Sequence, residues 1–196
     1  EFRRVLFRSR DLSDNTRRKS SVFREKHYTK RSREDKRKGQ GITVSEYIMD
    51  MRKVVGHRCI LQVGASVILE DEHGRVLLQK RADNHMWGYA GGSVELDEKV
   101  EDAAKRELFE ETGLIANSLE LFGVFSGKEL HYIYPNGNEV SNIDVVYVCR
   151  DYCGELKRQE DEVVELKFFD YANLPEELSP PIKPVLLKRR DFMLGK

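Results

Sequence analysis

Residues 91–114 read GGSVELDEKVEDAAKRELFEETGL, and this stretch decides the fold and the class of function that the rest of the chain must fit. From Gly92 to Leu114 it follows the spacing G-x5-E-x7-R-E-L-x-E-E-x-G-L. Average residue usage gives a chance match to the Gly, Glu and Arg positions of this pattern a probability of roughly one in a million. The spacing is therefore a motif rather than a coincidence.

The second half of this stretch is predicted to form an amphipathic helix of about four turns. Its apolar residues recur at helical spacing, and Gly113 is typical of the position just past a helix end. On a helical wheel, Glu107 and Glu111 lie within about 20° of Val100, and Glu110 lies about 80° from it. We therefore expect all three carboxylates to face the protein interior. The apolar residues of the stripe are Val100, Ala103, Ala104 and Leu108.

Carboxylates that face inward need a partner. Most glutamates on charged helices are simply solvated, which is the competing interpretation. However, two carboxylates about 4 Å apart repel by about 4 kcal/mol at an effective dielectric constant near 20, and they raise each other's pKa unless a cation lies among them. Hard oxygen ligands suit Mg²⁺, with Mn²⁺ as the alternative, and such ions share oxygens with a bound diphosphate. The helix therefore predicts half of a metal–diphosphate site.

The motif resembles the Nudix box, the signature of hydrolases that cleave a nucleoside diphosphate linked to another moiety. The resemblance extends over about residues 44–190. It implies a Nudix pyrophosphohydrolase domain at residues 42–196, a hydrolase acting on phosphorus-containing acid anhydrides. It also implies an α/β (α+β) fold, an α/β/α sandwich with a mixed β-sheet.

The resemblance assigns roles within the motif. Arg106 is expected to brace the glutamates through charge-assisted hydrogen bonds. Glu98 is expected behind the metal ligands, in contact with them directly or through water. A backbone carbonyl of the glycine pair is an additional oxygen ligand in this arrangement. The implied metal ligands are Gly92, Glu107, Glu110 and Glu111.

Nudix hydrolases often recruit one more carboxylate from well past the box, as a metal ligand or as the general base. Counting back from Leu174-Pro175, which resembles the Leu-Pro after the last strand of the family, places Glu162 at that position. Glu160 and Glu165 are the alternatives, and an ordinary charged loop tip is the competing interpretation. The general base stays open among three residues, which are Glu107, Glu110 and Glu162.

The substrate beyond the diphosphate is less constrained. Arg81, Trp87 and Tyr132 are the candidate substrate contacts, and Trp87 either stacks on a ligand or fills a structural gap. Leu130 stands where ADP-ribose hydrolases carry a proline, and Tyr132 where dinucleoside polyphosphate hydrolases carry a tyrosine. Mononucleotide, dinucleoside polyphosphate, ADP-ribose and RNA 5′-end substrates all stay open. A Nudix-fold nucleotide sensor that binds without cleaving is the non-enzyme alternative.

Residues 1–41 differ from the rest of the chain in charge. They hold 15 Lys or Arg and 6 Asp or Glu, a net charge of +9, and since the whole chain is neutral the remainder carries −9. Few apolar residues and no sustained period predict a disordered arm. Glu1-Phe2 is what a common cloning site encodes, so a non-native origin is the alternative. Nucleic acid is expected only through this arm or as a 5′-end substrate.

The composition indicates the cellular compartment in which the protein is expected to act. No apolar run reaches the length of a membrane span, and no signal-peptide pattern is present, so a cytoplasmic protein acting on a nucleotide-derived small molecule is expected. Cys59, Cys149 and Cys153 lack zinc-motif spacing, and we interpret them as buried free thiols. The sequence leaves the oligomeric state open, a homodimer included.

The remaining elements follow from periodicity and turn residues. Cys59–Leu69 and Val76–Lys80 are predicted to form an antiparallel hairpin. The last helix is expected to pack on the sheet through Val185, Leu186 and Phe192. Further strands are predicted at Leu119–Ser126, Val140–Arg150 and Val163–Asp170, and helices at Ser45–Val55 and Ile182–Leu194.

Overall fold

The structure is a computed structural model that describes residues 47–196. The predicted basic arm at residues 1–41 and the domain boundary at residue 42 lie outside the described residues. The helices are α1 (Tyr47–Val55), α2 (Val100–Thr112) and α3 (Lys183–Met193). The strands are β1 (Ile60–Leu69), β2 (Val76–Arg81), β3 (Trp87–Gly88), β4 (Ala90–Ser93), β5 (Leu114–Ala116), β6 (Glu120–Phe125), β7 (His131–Ile133), β8 (Glu139–Cys149), β9 (Tyr152–Gly154) and β10 (Val163–Phe169). Within residues 47–196, no helix has the length and apolar character needed to cross a membrane.

The largest sheet is mixed. Its strand β1 pairs in parallel with β8 on one side and antiparallel with β4 on the other, and β8 also pairs with β6 and β7. A second sheet has the order β10-β2-β3, and β5 pairs with β9. The mixed sheet that the sequence predicts is therefore confirmed.

The predicted hairpin between the first two strands is wrong. β1 and β2 belong to different sheets, and a single bridge between Glu70 and Val76 is the pairing recorded where they meet. The N–H of Glu70 instead donates to the carbonyl of Cys149, which continues the pairing of β1 with β8. Both neighbours of β1 come from later in the chain, so the nearness of β1 and β2 in sequence does not determine their pairing.

Successive side chains of β1 enter two different cores, because neighbouring residues of a strand point to opposite faces. Ala65, Val67 and Leu69 pack with the apolar stripe of α2. Ile68 packs on the other face with α3, through Val185 and Leu186. Helices thus cover both faces, as the expected α/β/α sandwich requires. Phe192 is 68% exposed, so its predicted packing on the sheet is wrong.

Helix α2 ends where the sequence predicts. Gly113 adopts a left-handed backbone (φ 75°) and its N–H donates to the carbonyl of Phe109, a C-terminal cap that glycine makes at low cost. Ala103, Ala104 and Leu108 are fully buried, which fixes the rotation of the helix about its axis. That rotation sets which of the following glutamates face the protein and which face solvent.

Candidate active site

The three glutamates near the end of α2 differ in burial. Glu111 is 5% exposed, the Glu107 side chain 16% and the Glu110 side chain 54%. The expectation that all three face the interior is therefore wrong for Glu110. It lies at the edge of the apolar stripe, where the helix surface turns outward.

Arg106 joins the carboxylates into one network. Its Nε and one terminal nitrogen contact the two oxygens of Glu98 at 2.8 and 2.9 Å, and that same nitrogen also donates to the carbonyl of Ser93. The other terminal nitrogen donates to Glu107 at 2.6 Å and reaches Glu110 at 3.4 Å. Glu98 therefore anchors Arg106, and Arg106 in turn restricts Glu107. Such paired N–H···O⁻ contacts have a fixed geometry.

The glycine pair allows the backbone of β4 to approach these carboxylates. A Cβ placed on Gly92 would collide with the carboxyl group of Glu107, and one on Gly91 would collide with Ser66 of the neighbouring strand. The N–H of Gly91 donates to Glu111 at 2.8 Å. Because a side chain would fill this space, glycine is required here for close approach.

Glu111 is the most strongly perturbed carboxylate of the site. Burial, and next the nearby charge of Glu107, raise its pKa to about 8, against opposing hydrogen bonds from the Gln79 side chain and the Gly91 N–H. The Gln79 Oε1 atom is buried and has no hydrogen-bond partner among the described residues. The sequence analysis did not identify Gln79, because a single glutamine in a strand carries no motif.

The pKa of Glu107 is affected by a carboxylate that lies outside α2. Burial raises its pKa, Arg106 opposes that rise, and the charges of Glu110 and Glu162 add to it. Glu162 precedes β10 and lines the same cavity as Glu107 and Glu110 of α2. The alternatives Glu160 and Glu165 do not line the cleft. The structure therefore places Glu162 beside the box carboxylates.

Two adjoining cavities form the cleft. The smaller one, of about 340 Å³, is acidic and includes Glu107, Glu110 and Glu162 in its wall. The larger one, of about 550 Å³, shares Glu162 with it and also contains Glu111. The wall of the larger cavity is mixed, with a few apolar and acidic residues, and its basic, tyrosine and amide side chains include Arg52, Arg81, Tyr134, Asn136 and Asn138.

Helix α1 contributes to both cavities through Ile48 and Met49. Arg52 of the same helix is buried and donates to the carbonyls of Gly56, Arg58 and Glu139, the last at 2.7 Å. These bonds hold α1 against the start of β8. The sequence analysis predicted the helix but not its place in the cleft, because that depends on a contact with a distant strand.

The three candidate substrate contacts have different positions. Arg81 lines the larger cavity and pairs with Asp83 through two contacts of 2.9 Å. Tyr132 accepts a hydrogen bond from Asn84 at 3.3 Å and packs edge-on against Tyr134, which is the tyrosine that lines the cavity.

Trp87 requires a correction. It is 6% exposed and packs edge-on against Phe169, with ring centroids 4.9 Å apart, in the core beneath α3. Its indole is therefore part of the fold and does not offer a stacking surface to a ligand.

The prediction that all three cysteines are buried thiols is wrong for Cys59 and Cys153, since both are exposed and Cys149 alone of the three is buried.

The residues of the smaller cavity fit a divalent cation. Four of the eight residues in its wall are glutamates, whose carboxylates are the oxygen donors preferred by Mg²⁺ and Mn²⁺. Arg106 is the cation that pairs with Glu107, and burial together with like charge raises the pKa values of Glu107 and Glu111. A cation among these groups would relieve the charge that the structure otherwise leaves uncompensated.

Known proteins match this sequence and fold. The sequence model of the NUDIX domain matches residues 60–189. An ADP-ribose pyrophosphatase of Methanocaldococcus jannaschii is 36% identical over 141 residues, which cover 69% of this chain and 79% of the relative. An NAD-capped RNA hydrolase NudC of Actinobacillus succinogenes is 29% identical, and the match covers 68% of this chain and about half (49%) of that protein.

Among solved structures, the MutT NUDIX hydrolase of Burkholderia pseudomallei has a TM-score of 0.56 and 28% sequence identity. The match covers 65% of this chain and 97% of that protein. The mutator MutT protein of Bacillus halodurans has a TM-score of 0.54 and 27% identity, with 66% of this chain and 82% of that protein covered. The likeness therefore extends over most of the described residues.

Proposed function

Because the chain belongs to the NUDIX domain family, whose members hydrolyse phosphorus-containing acid anhydrides, we propose that it is a Mg²⁺-dependent pyrophosphohydrolase of nucleoside diphosphates linked to another moiety. The observation that supports the proposal most directly is the set of carboxylates around the smaller cavity. Mn²⁺ is the alternative ion, because it accepts the same oxygen ligands.

In this proposal Glu107, Glu110 and Glu111 would hold the ion, with the Gly92 carbonyl as a further ligand, and Glu162 would stay free to act on water. A divalent ion bound there neutralises charge on the diphosphate and lowers the pKa of a water molecule. Arg106 keeps the Glu107 carboxylate in one orientation, and Glu98 keeps Arg106 in place. Such preorganisation matters because phosphoryl transfer depends mainly on positioning and electrostatics.

We propose Glu162 as the general base. A base must reach a water molecule in the cleft, and Glu162 is exposed and lines both cavities. Glu107 is less suited, because Arg106 holds one of its oxygens at 2.6 Å. Glu110 is exposed but lines only one of the two cavities described here.

The larger cavity is proposed to hold the group beyond the diphosphate. A volume of about 550 Å³ is within the range of small-molecule sites, which is about 300–1,000 Å³. Its amide, tyrosine and arginine side chains can bind a nucleoside or a sugar by hydrogen bonds. ADP-ribose is the first substrate to test, because a relative 36% identical is an ADP-ribose pyrophosphatase. Leu130, which replaces the proline of such enzymes, is the observation against it.

The test is a substrate panel with purified protein. ADP-ribose, dinucleoside polyphosphates, nucleoside triphosphates and NAD-capped RNA are incubated with Mg²⁺, with Mn²⁺ and with chelator, and released mononucleotide or phosphate is measured. We expect turnover of at least one compound that depends on the metal. Binding without turnover under every metal condition would support a nucleotide sensor instead, and turnover in chelator would contradict the metal site.

Glu162→Gln tests the proposed base, and Glu160→Gln and Glu165→Gln are its matched controls because both are charged neighbours outside the cleft. We expect a rate loss of about 100-fold or more for the first variant, in the range of general-base catalysis. The two controls should retain the wild-type rate. Equal effects of the three substitutions would contradict the assignment.

A further inference from the structure

Outside the cleft, three different metal-binding side chains meet at one end of the large sheet. The Sγ of Cys59, a ring nitrogen of His131 and a carboxylate oxygen of Glu139 all lie within 4.8 Å of one another. The His131 and Glu139 atoms are 2.9 Å apart. We propose that these three residues form a binding site for Zn²⁺ or a similar transition-metal ion, separate from the magnesium site of the cleft.

The sheet register brings these residues together on one face. Cys59 precedes Ile60 and Glu139 precedes Val140, and Ile60 and Val140 are partners in the parallel ladder. His131 pairs with Ser141 on the adjacent antiparallel strand, so it lies diagonally across from Glu139. Side chains in register share a face of the sheet. Three neighbouring segments of backbone therefore position the three ligands.

The chemistry of the three donors selects the kind of ion. A thiolate, an imidazole and a carboxylate form a set that zinc accepts, whereas Mg²⁺ prefers oxygen ligands. Zinc bonds of about 2.0–2.3 Å in tetrahedral geometry separate the ligand atoms by about 3.3–3.7 Å. The distances in the cluster, 2.9 Å for one pair and at most 4.8 Å for the others, lie on both sides of this range. Small rotations of the exposed Cys59 and His131 side chains and the half-buried Glu139 side chain are therefore sufficient. A water molecule completes four-coordination.

Binding would release one proton from the cysteine thiol to solvent as the zinc–sulfur bond forms. The ordinary alternative is a surface ion pair between His131 and Glu139, to which Cys59 is merely adjacent. The two interpretations differ in the role of the thiol, because an ion pair does not need it. The thiol is therefore the group to change.

The experiment uses the reduced, chelator-treated full chain. Co²⁺ is titrated as a spectroscopic probe, and Zn²⁺ is then added. We expect one equivalent of cobalt to give a thiolate-to-cobalt charge-transfer band that zinc removes. Cobalt at the all-oxygen site of the cleft cannot give this band. Absence of the band in the wild type would overturn the proposal.

Cys59→Ser should abolish the band and weaken zinc binding by more than the roughly 10- to 100-fold that loss of an outer-sphere partner costs. Cys153→Ser is the matched control, since Cys153 is also exposed but its thiol lies near Asn117. That variant should keep the band. Loss of the band in Cys153→Ser, or its retention in Cys59→Ser, would contradict the site.

His131→Ala and Glu139→Gln complete the test, because each should lower zinc affinity while thermal unfolding without metal changes little. If neither substitution affects zinc affinity, a lone thiol binds the metal and the three-residue site is wrong. Mg²⁺-dependent hydrolysis by Cys59→Ser should match the wild type. The result for this site is therefore independent of the proposed catalytic function.

Discussion

Two buried glutamates on opposite sides of the large sheet have opposite environments. Glu70 is 1% exposed and accepts two hydrogen bonds from Arg189, at 2.8 and 2.9 Å, one from Arg150 and one from Tyr171. Burial alone would raise its pKa, but the arginines and the tyrosine lower it below the ordinary value. This carboxylate is fully compensated and ties α3 to the end of β1.

Glu111 is 5% exposed and has no arginine in direct contact among the residues described. Burial, and next the charge of another carboxylate, Glu107, raise its pKa to about 8, against a smaller opposing effect of Arg81. A buried charge is tolerated when it is paired, and an unpaired one costs free energy unless a ligand compensates it. The comparison teaches that the partners of a buried carboxylate, rather than its burial, separate a structural site from a functional one.

The largest expected effect is the loss of stability on replacing Glu70, the glutamate that is fully paired. Glu70→Gln removes the charge that balances Arg189, so we expect the free energy of unfolding to fall by about 3–5 kcal/mol. Hydrolysis per folded molecule should be retained. Chemical denaturation monitored by circular dichroism measures the first quantity. Glu120→Gln is the control, because Glu120 pairs with the same Arg150 at the surface and should change stability by less than about 1 kcal/mol.

Replacing Glu111, the glutamate without an arginine partner, should change the rate of hydrolysis rather than the stability. Glu111→Gln should lower kcat by about 100- to 1,000-fold, the cost of removing one preorganised electrostatic group, while the free energy of unfolding stays constant or rises. Glu101→Gln on the exposed face of the same helix is the control and should keep the wild-type rate. A Glu111→Gln variant that is destabilised but active would reverse the comparison between the two glutamates.

Gly92→Ala tests whether the site needs the close approach of the β4 backbone to Glu107. The added methyl group collides with the Glu107 carboxyl and must displace it, and a misplacement of about 1 Å costs about 100-fold in rate. The Gly92 backbone has no positive φ that an alanine would strain, so the melting temperature should change little. Steady-state kinetics and a thermal melt check both expectations. A wild-type rate would show that the close approach is dispensable.

The last expected effect is a dependence of stability on pH. The folded pKa of Glu111 is about 8 and its ordinary value is 4.5, so the folded state binds more protons between them. The stability of metal-free protein should therefore decrease as pH rises from about 4.5 to 8. Denaturation at several pH values should show this decrease in the wild type and a flatter profile in Glu111→Gln.

Added Mg²⁺ should reduce that decrease, because a bound cation replaces the proton. Glu70 acts in the opposite sense, since its pKa is lowered and its contribution is lost as pH falls below its ordinary value of 4.5. Glu70→Gln should therefore lower stability most at neutral pH and flatten the profile below pH 4.5, without changing its slope between pH 4.5 and 8. A wild-type profile that is flat between pH 4.5 and 8 would contradict the perturbation of Glu111.

Local signals in the sequence predicted α2 and the residue at which it ends. The periodicity from Val100 to Leu108 and the cap at Gly113 depend on residues a few positions apart, so a sequence reading is sufficient for them. The same reading failed for β1 and β2, because strands pair with partners that local patterns do not specify. For Trp87 it left ligand stacking and a structural role open, and the burial of the indole agrees with the structural role.

Other parts of the candidate site had no sequence signal. Gln79 contacts Glu111 from a strand, and Arg52 and Tyr134 reach the larger cavity from a helix and a turn outside the motif. Their positions depend on how separate sheets and α1 come together. Glu162 could be located from the sequence because the family supplies a reference point, the Leu-Pro pair at Leu174-Pro175.

The parallel ladder between β1 and β8 has a kinetic consequence. Ten residue pairs, from Ile60 with Val140 to Leu69 with Cys149, join segments that have the whole of α2 between them. Contacts of such long range slow folding, because the intervening chain loses its freedom before the ladder stabilises it. A nascent chain that still lacks β8 can pair β1 with β4 but has no Glu162, so the cleft is complete only after the later part of the chain has been made.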